Sequence, residues 1–253
     1  MINRDQVRKS FSDYTRNYNP EDPKIALKIK HTYFVANNCE EIAKSLGLYD
    51  EKIDLAWLLG ILHDVGRFEQ IRRYGTFIDA NSVDHAEFGA DLLFEDDQLI
   101  RNYLTDTEYY ERIEIVIREH NKLKIREGLD DETFMFCNIL RDADKIDIFR
   151  VNVETPLEEI IDVPDDVIRT SAISDTVMPY IRKHQVVPRN IKHQPADFLI
   201  AHMALAFELV FPRSKALALE QGYLAKMFEY KSENPVTTAA INETRDEIMK
   251  ILL

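Results

Sequence analysis

Between Leu55 and Asp64 the chain reads LAWLLGILHD: eight residues without an ionisable side chain, then a histidine and an aspartate side by side. An apolar run of this kind belongs in a core. A buried unpaired charge costs several kcal/mol, so the doublet needs a compensating partner. Two readings satisfy that need: a catalytic or metal-binding pair, or a hydrogen-bonded pair inside the core. Either way, the segment requires neighbours that surround it.

Composition indicates what those neighbours are. Only 7 glycines occur in 253 residues, and runs of alternating β-branched residues are few, which points to helices rather than a β-sandwich or barrel. A formal net charge of −13 repels a nucleic-acid polymer on average, whereas a small phosphorylated substrate stays possible beside a bound cation. Cys39 and Cys137 lack CxxC spacing and lie in apolar surroundings, so they read as buried thiols. The N-terminal MINRDQVRKSFSDY has no signal-peptide core, and nowhere do 18 apolar residues run together. The expectation is a cytoplasmic protein that does not engage a membrane.

Patterning predicts an all-α chain, read as a single domain over residues 1–253. A first helix over 2–18 should stop near Pro20 and Pro23, and a second should run from Lys24 to Leu46, closed by Gly47. A third should start at Asp50 and carry the apolar run to His63, with Gly66 as a break. The loop YGTFIDANS leads to a helix over 83–94 capped by Ser82 or Asn81, followed by helices over 107–121 and 131–150. Pro164 marks a linker-like turn. Beyond it PADFLIAHMALAFELVF, PRSKALALEQGYLAKMFEYK and 236–252 read as helices. The predicted core spans about 24–150, with a C-terminal helical extension over about 165–253.

Helical spacing then sorts the ionisable residues. His31 shares a face with Leu27, Phe34 and Ile42. His120 follows Ile113, Val116 and Ile117 on another inward stripe, and Asp144 lies on a stripe with Phe136, Leu140 and Ile148. His85 falls near a helix start, one turn before Gly89. Taken singly, each is an ordinary hydrogen-bonded core residue. Inward ionisable residues on four different helices are more simply one convergent site. Neutral imidazoles and carboxylates around divalent cations also form a nearly neutral cluster.

The order His31, His63-Asp64, Asp144 resembles the H…HD…D pattern of the HD-domain superfamily of metal-dependent phosphohydrolases, over roughly residues 25–150. The resemblance implies an HD-domain-like helical bundle in which His31, His63, Asp64 and Asp144 hold one metal. His85 in DHAEFGADLL and His120 in REHNK match the extra histidines of two-metal members, where Asp64 would bridge both ions. Ala86 stands where those members usually carry proline. The HHE…GYP signature of cyclic-di-GMP phosphodiesterases is absent.

The implied chemistry is hydrolysis of a phosphate ester by metal-activated water, with a nucleotide or related phosphomonoester as substrate and Mn, Fe, Co, Ni or Zn as the ions. Asp64 is the catalytic carboxylate, and Arg67 and Lys145 are the cations placed to meet a phosphoryl group. Arg72 and Arg73 are weaker candidates. Asp142 and Asp147 flank Asp144, and Asn38 lies two turns after His31. His184, His193 and His202 fall outside the resemblance. A di-iron oxygenase of the same superfamily, resembling myo-inositol oxygenase, would use the same six ligands. A non-catalytic regulator would be expected to lack one. The C-terminal helices could cover the site or form a homodimer face.

Overall fold

A computed structural model describes residues 2–96 and 98–253. Among them every regular element is helical, and there is no strand. Among the described residues no helix is long and apolar enough to cross a membrane. The chain divides into two compact units, Met1–Asp144 and Lys145–Leu253, with the boundary inside one long helix.

The first unit contains α1 (Arg4–Thr15), α2 (Pro23–Ser45), α3 (Asp50–Leu62), α4 (Val65–Tyr74), α5 (His85–Phe94), α6 (Ile100–Tyr103), α7 (Tyr110–Glu119) and most of α8 (Asp131–Glu154). Asp22 caps α2 by accepting from Lys24 N–H, with Pro23 at the first helical position where its missing N–H is harmless. Asp130 caps α8 through Thr133 N–H. Residues 55–62 of α3 are all buried, as their uniform apolarity requires, and α2 is the main partner. That pairing is close: a Cβ on Gly60 would lie 2.4 Å from Ala36 Cα. On the outer side α1 lays Arg4 and Arg8 against the Trp57 ring and packs Phe11 and Tyr14 edge-on against Phe68.

Several boundaries differ from the sequence expectation, each for a local reason. The first helix ends at Thr15 rather than 18, where Asn17 Nδ2 donates to the Tyr14 carbonyl. The break after the apolar run falls at His63-Asp64, not at Gly66, which lies inside the first turn of α4. Gly66 is there for proximity: a Cβ would lie 2.5 Å from the His85 carbonyl and 2.7 Å from Gly89 N, so its absence lets α4 and α5 touch backbone to backbone. Helix α5 starts at His85 and is capped by Asp84, which accepts from Ala86 and Glu87 N–H, whereas Ser82 Oγ is engaged with Gln70 and Ile78. Ala86 donates an N–H to Asp84 that a proline at this position would lack.

The second unit continues α8 and adds α9 (Leu157–Ile161), α10 (Asp165–Thr170), α11 (Met178–Arg182), α12 (Pro195–Met203), α13 (Pro212–Glu220), α14 (Tyr223–Phe228) and α15 (Pro235–Leu252). Pro164 is the residue before α10 rather than part of a bare linker. Gly222, at φ +72°, splits the predicted helix over 212–231 into α13 and α14. The buried Asp197 carboxylate accepts from Ser174 N and Oγ, His193 N and Gln194 N, and so gathers the loops before α11 and α12. His202 Nδ1 donates to Asn152 Oδ1, an orientation fixed because Asn152 Nδ2 donates to the Ile148 carbonyl.

Two predictions follow from this packing. Gly66→Ala should cost about 2–3 kcal/mol, because both clashing groups are backbone; an unchanged urea midpoint would contradict the contact. Burial, then Lys192 and Arg189, push His202 down from 6.5 to about 4. Protonation therefore favours the unfolded chain, and the stability is intact above pH 6.5 and lost as pH falls towards 4. His202→Gln should flatten that part of the stability–pH curve by roughly 2 kcal/mol. A variant that loses stability over pH 6.5–4 as steeply as the wild type would rule the origin out.

Candidate metal centre

Helix ends set the site. His63 is the C-terminal cap of α3 and His120 that of α7. Each turns its ring back onto its own last turn, with Nδ1 2.7 Å from the carbonyl three residues earlier, Gly60 and Ile117 respectively. Both carbonyls lie in the last turn of their helix, where the N–H partner four residues on is missing. A carbonyl only accepts, so Nδ1 carries the hydrogen in both rings and Nε2 presents a lone pair. His85, the first residue of α5, is set by a different device: Nδ1 lies 2.7 Å from Asp79 Oδ2, and a carboxylate again fixes the hydrogen on Nδ1.

The rings then meet. Nε2 of His85 and His120 are 3.1 Å apart, and Nε2 of His63 and His31 are 3.3 Å apart. For the first pair neither nitrogen has a hydrogen to give while the rings are neutral. Burial is the largest influence on both rings and pushes each down to about 4, so neither is protonated at neutral pH. Two buried lone pairs face each other at hydrogen-bond distance. This arrangement asks for a cation that both can ligate.

Asp64 lies between the two pairs and is 2% exposed. Its Oδ2 is 3.5 Å from Nε2 of both His31 and His63, and its Oδ1 is 3.7 Å from His85 Nε2 and 4.0 Å from His120 Nε2. Asp144 Oδ1 stands 3.1 Å from His31 Nε2 and 3.9 Å from His63 Nε2. The groups His31–His63–Asp64 and Asp64–His85–His120 each bring ligand atoms within 4.8 Å of one another, a set that could hold a metal ion. Burial works to raise the Asp64 carboxyl, but Lys28, then His63, Arg67 and His85, outweigh it and hold it well below the usual range. The cluster opens where exposure rises, at Asp144 with 20%, Lys28 with 16% and Arg67 with 13%.

All six histidine and aspartate candidates thus converge in the first unit. The accompanying cations are placed differently. Arg67 spends Nη1 on Gln70 Oε1, the Phe77 carbonyl and Asp79 Oδ1, while its buried Nε has no hydrogen-bond partner and lies 3.7 Å from Asp64 Oδ1. Lys145 belongs to the second unit, where its ammonium is 3.2 Å from Glu208. Arg72 and Arg73 both donate to Glu69, and Asp147 accepts a two-pronged pair from Arg150. Asn38 Nδ2 donates to the Ala143 carbonyl, tying α2 to the turn that carries Asp144.

Sequence reading did not find four supporting residues. Asp79 orients His85 from an irregular loop without periodicity. Lys28 pairs with Asp64 from a position that looks like an ordinary helix-surface lysine. Arg141 donates to the carbonyls of Glu119, Lys122 and Leu123 and so holds the turn around His120. Tyr14 Oη donates to the Val65 carbonyl immediately after the doublet.

Against known proteins, the chain matches the HD domain family over residues 29–167, more than half of its length, and it belongs to that family. The matched segment contains all six converging residues. The family consists mostly of metal-dependent hydrolases. No curated protein and no solved structure matches the chain.

Histidine nitrogen NMR of the metal-free protein tests the ring assignments: His63, His85 and His120 should all be Nδ1–H tautomers. Asp79→Asn should disturb the His85 signal alone and weaken divalent-metal binding by about 10–100-fold. An unperturbed His85 signal would show that Asp79 does not orient the ring.

Proposed function

We infer that the protein is a divalent-metal-dependent phosphohydrolase whose substrate is a small phosphorylated molecule, a nucleotide or related phosphomonoester. The observation that carries this reading is the division of the Asp64 carboxylate, with one oxygen towards His31 and His63 and the other towards His85 and His120. His31, His63, Asp64 and Asp144 would hold one ion and Asp64, His85 and His120 a second, with Asp64 shared. Bound there, such ions supply Lewis-acid polarisation of a phosphoryl oxygen and a water acidic enough to attack at neutral pH. The donor set of nitrogen and oxygen suits Mn, Fe, Co, Ni or Zn.

The remaining work falls to the chain. The buried walls of α3, α4 and α7 keep bulk water from the ligands, which raises the worth of each charge inside. Arg67 Nε, beside Asp64 and without a hydrogen bond, is the donor available to a phosphoryl group as charge builds on it. Its Nη1 bonds to Asp79 and the Phe77 carbonyl keep the guanidinium from collapsing onto the carboxylate. Lys145, next to Asp144 in the sequence, is the second cation proposed to meet a phosphoryl group. A net charge of −13 supports a small anion met at a local cationic site rather than a nucleic-acid polymer.

Elemental analysis of the purified protein, paired with hydrolysis of a chromogenic phosphate ester, tests the reading. About two equivalents of transition metal and turnover abolished by chelation are expected. Asp64→Ala should lose metal and lower turnover by at least about a thousandfold, because it removes a ligand to both ions. Full metal content and rate in that variant would end the two-ion assignment. Two irons with oxygen consumption and no hydrolysis would replace the hydrolase with an oxygenase.

A further inference from the structure

Lys28 stands three residues before His31 on α2, so both side chains leave the helix on the side that faces the cluster. Its ammonium is 2.6 Å from Asp64 Oδ2, and among the described residues this is its one hydrogen bond. The Phe77 ring flanks the ammonium at 5.3 Å and the Arg67 guanidinium at 5.6 Å. With its side chain 16% exposed, Lys28 reaches both the buried carboxylate and the opening of the site.

The oxygen that Lys28 holds is the one facing His31 and His63, each 3.5 Å away. Asp64 is buried, and without an ion it needs a positive partner; the ammonium provides one. A divalent cation ligated by the same oxygen would repel that ammonium strongly at such short range. Lysine is suited to leaving, as a compact charge on a flexible four-carbon stem with three rotatable donors and no fixed plane to satisfy. A released ammonium at the opening would face whatever anion the cluster binds.

We propose that Lys28 is an exchangeable counter-charge: it pairs with Asp64 in the metal-free protein, yields Oδ2 to the ion, and then binds a phosphoryl oxygen of the substrate at the mouth of the site. This rests on the phosphohydrolase reading above, but its signature is separate. A residue that merely orients a ligand weakens metal binding when removed. An exchangeable counter-charge does the opposite, because its removal relieves both competition and repulsion.

The experiment uses the full-length metal-free protein titrated with Mn2+, with free Mn2+ followed by electron paramagnetic resonance. Inorganic phosphate is then titrated against the Mn-loaded protein. Lys28→Met should bind Mn2+ about tenfold more tightly than wild type and inorganic phosphate about tenfold more weakly. Lys28→Arg, which keeps the charge but holds a carboxylate in a planar fork, should bind Mn2+ no more tightly than wild type. Lys28→Gln repeats the charge removal with a polar side chain, in case the methionine variant folds poorly. Unchanged or weaker Mn2+ binding in Met and Gln variants with a native circular dichroism spectrum overturns the proposal, as does unchanged phosphate binding. A wild type that takes up no Mn2+, Fe2+, Co2+, Ni2+ or Zn2+ overturns the metal reading itself, a result distinct from either.

Discussion

The first unit is organised around one carboxylate that cannot be left alone. Asp64 is almost as buried as the leucines before it, yet it remains ionised and stands among four imidazoles, of which burial keeps His85 and His120 neutral. A negative charge in that setting must be met from close range. Among the cationic side chains Lys28 meets it, with Arg67 next in distance. The backbone break between α3 and α4 puts the carboxylate there: Asp64 takes φ −109° and ψ 17°, its side chain makes no capping bond, and it stands at the start of α4, where helix N–H groups favour negative charge.

Close helix contact gives the cluster its rigidity. Gly60 lets α3 sink onto α2 at Ala36, and Gly66 lets α4 reach the backbone of α5 at His85 and Gly89. These two contacts fix the relative positions of His31, His63, Asp64 and His85 through backbone rather than long side chains. Arg141 and Tyr14 then tie down the turns on either side, Arg141 by collecting carbonyls after α7 and Tyr14 by holding Val65. The α1 helix that carries Tyr14 precedes the family match at residue 29, so part of the brace on the doublet comes from outside it.

Much of this was legible without coordinates because helical spacing is strict. The stripes through His31, His120 and Asp144 named inward residues on separate helices, and the doublet at the end of an apolar run named the fourth element. The family match then covered all of them. Asp79 was out of reach because an irregular loop has no period to show which side chain turns inward. Lys28 was out of reach because a lysine one turn from a buried histidine resembles any solvated helix face. Gly66 was mistaken for a break since local propensity cannot see a backbone neighbour from α5. The capping role of Asp84 was missed for a related reason: Ser82 is an equally good cap by type and is engaged elsewhere. In the second unit short helices such as α9 and α11, five residues each, are too brief for any periodic signal.

The way each ring is held divides the cluster into inherited and borrowed parts. His63 and His120 take their orientation from carbonyls three residues back in their own helices, so each carries its aim wherever its helix goes. His85 takes its orientation from Asp79, six residues away across a loop that must itself be held by Gln70 and Arg67. Insertion, deletion or exchange within the loop from Gly75 to Asp84 would therefore undo the His85 side while leaving the His31–His63–Asp144 side as built. On the two-ion reading proposed above, this loop is where a two-ion form would part from a one-ion form. It is a surface loop, the part of a helical protein most open to change.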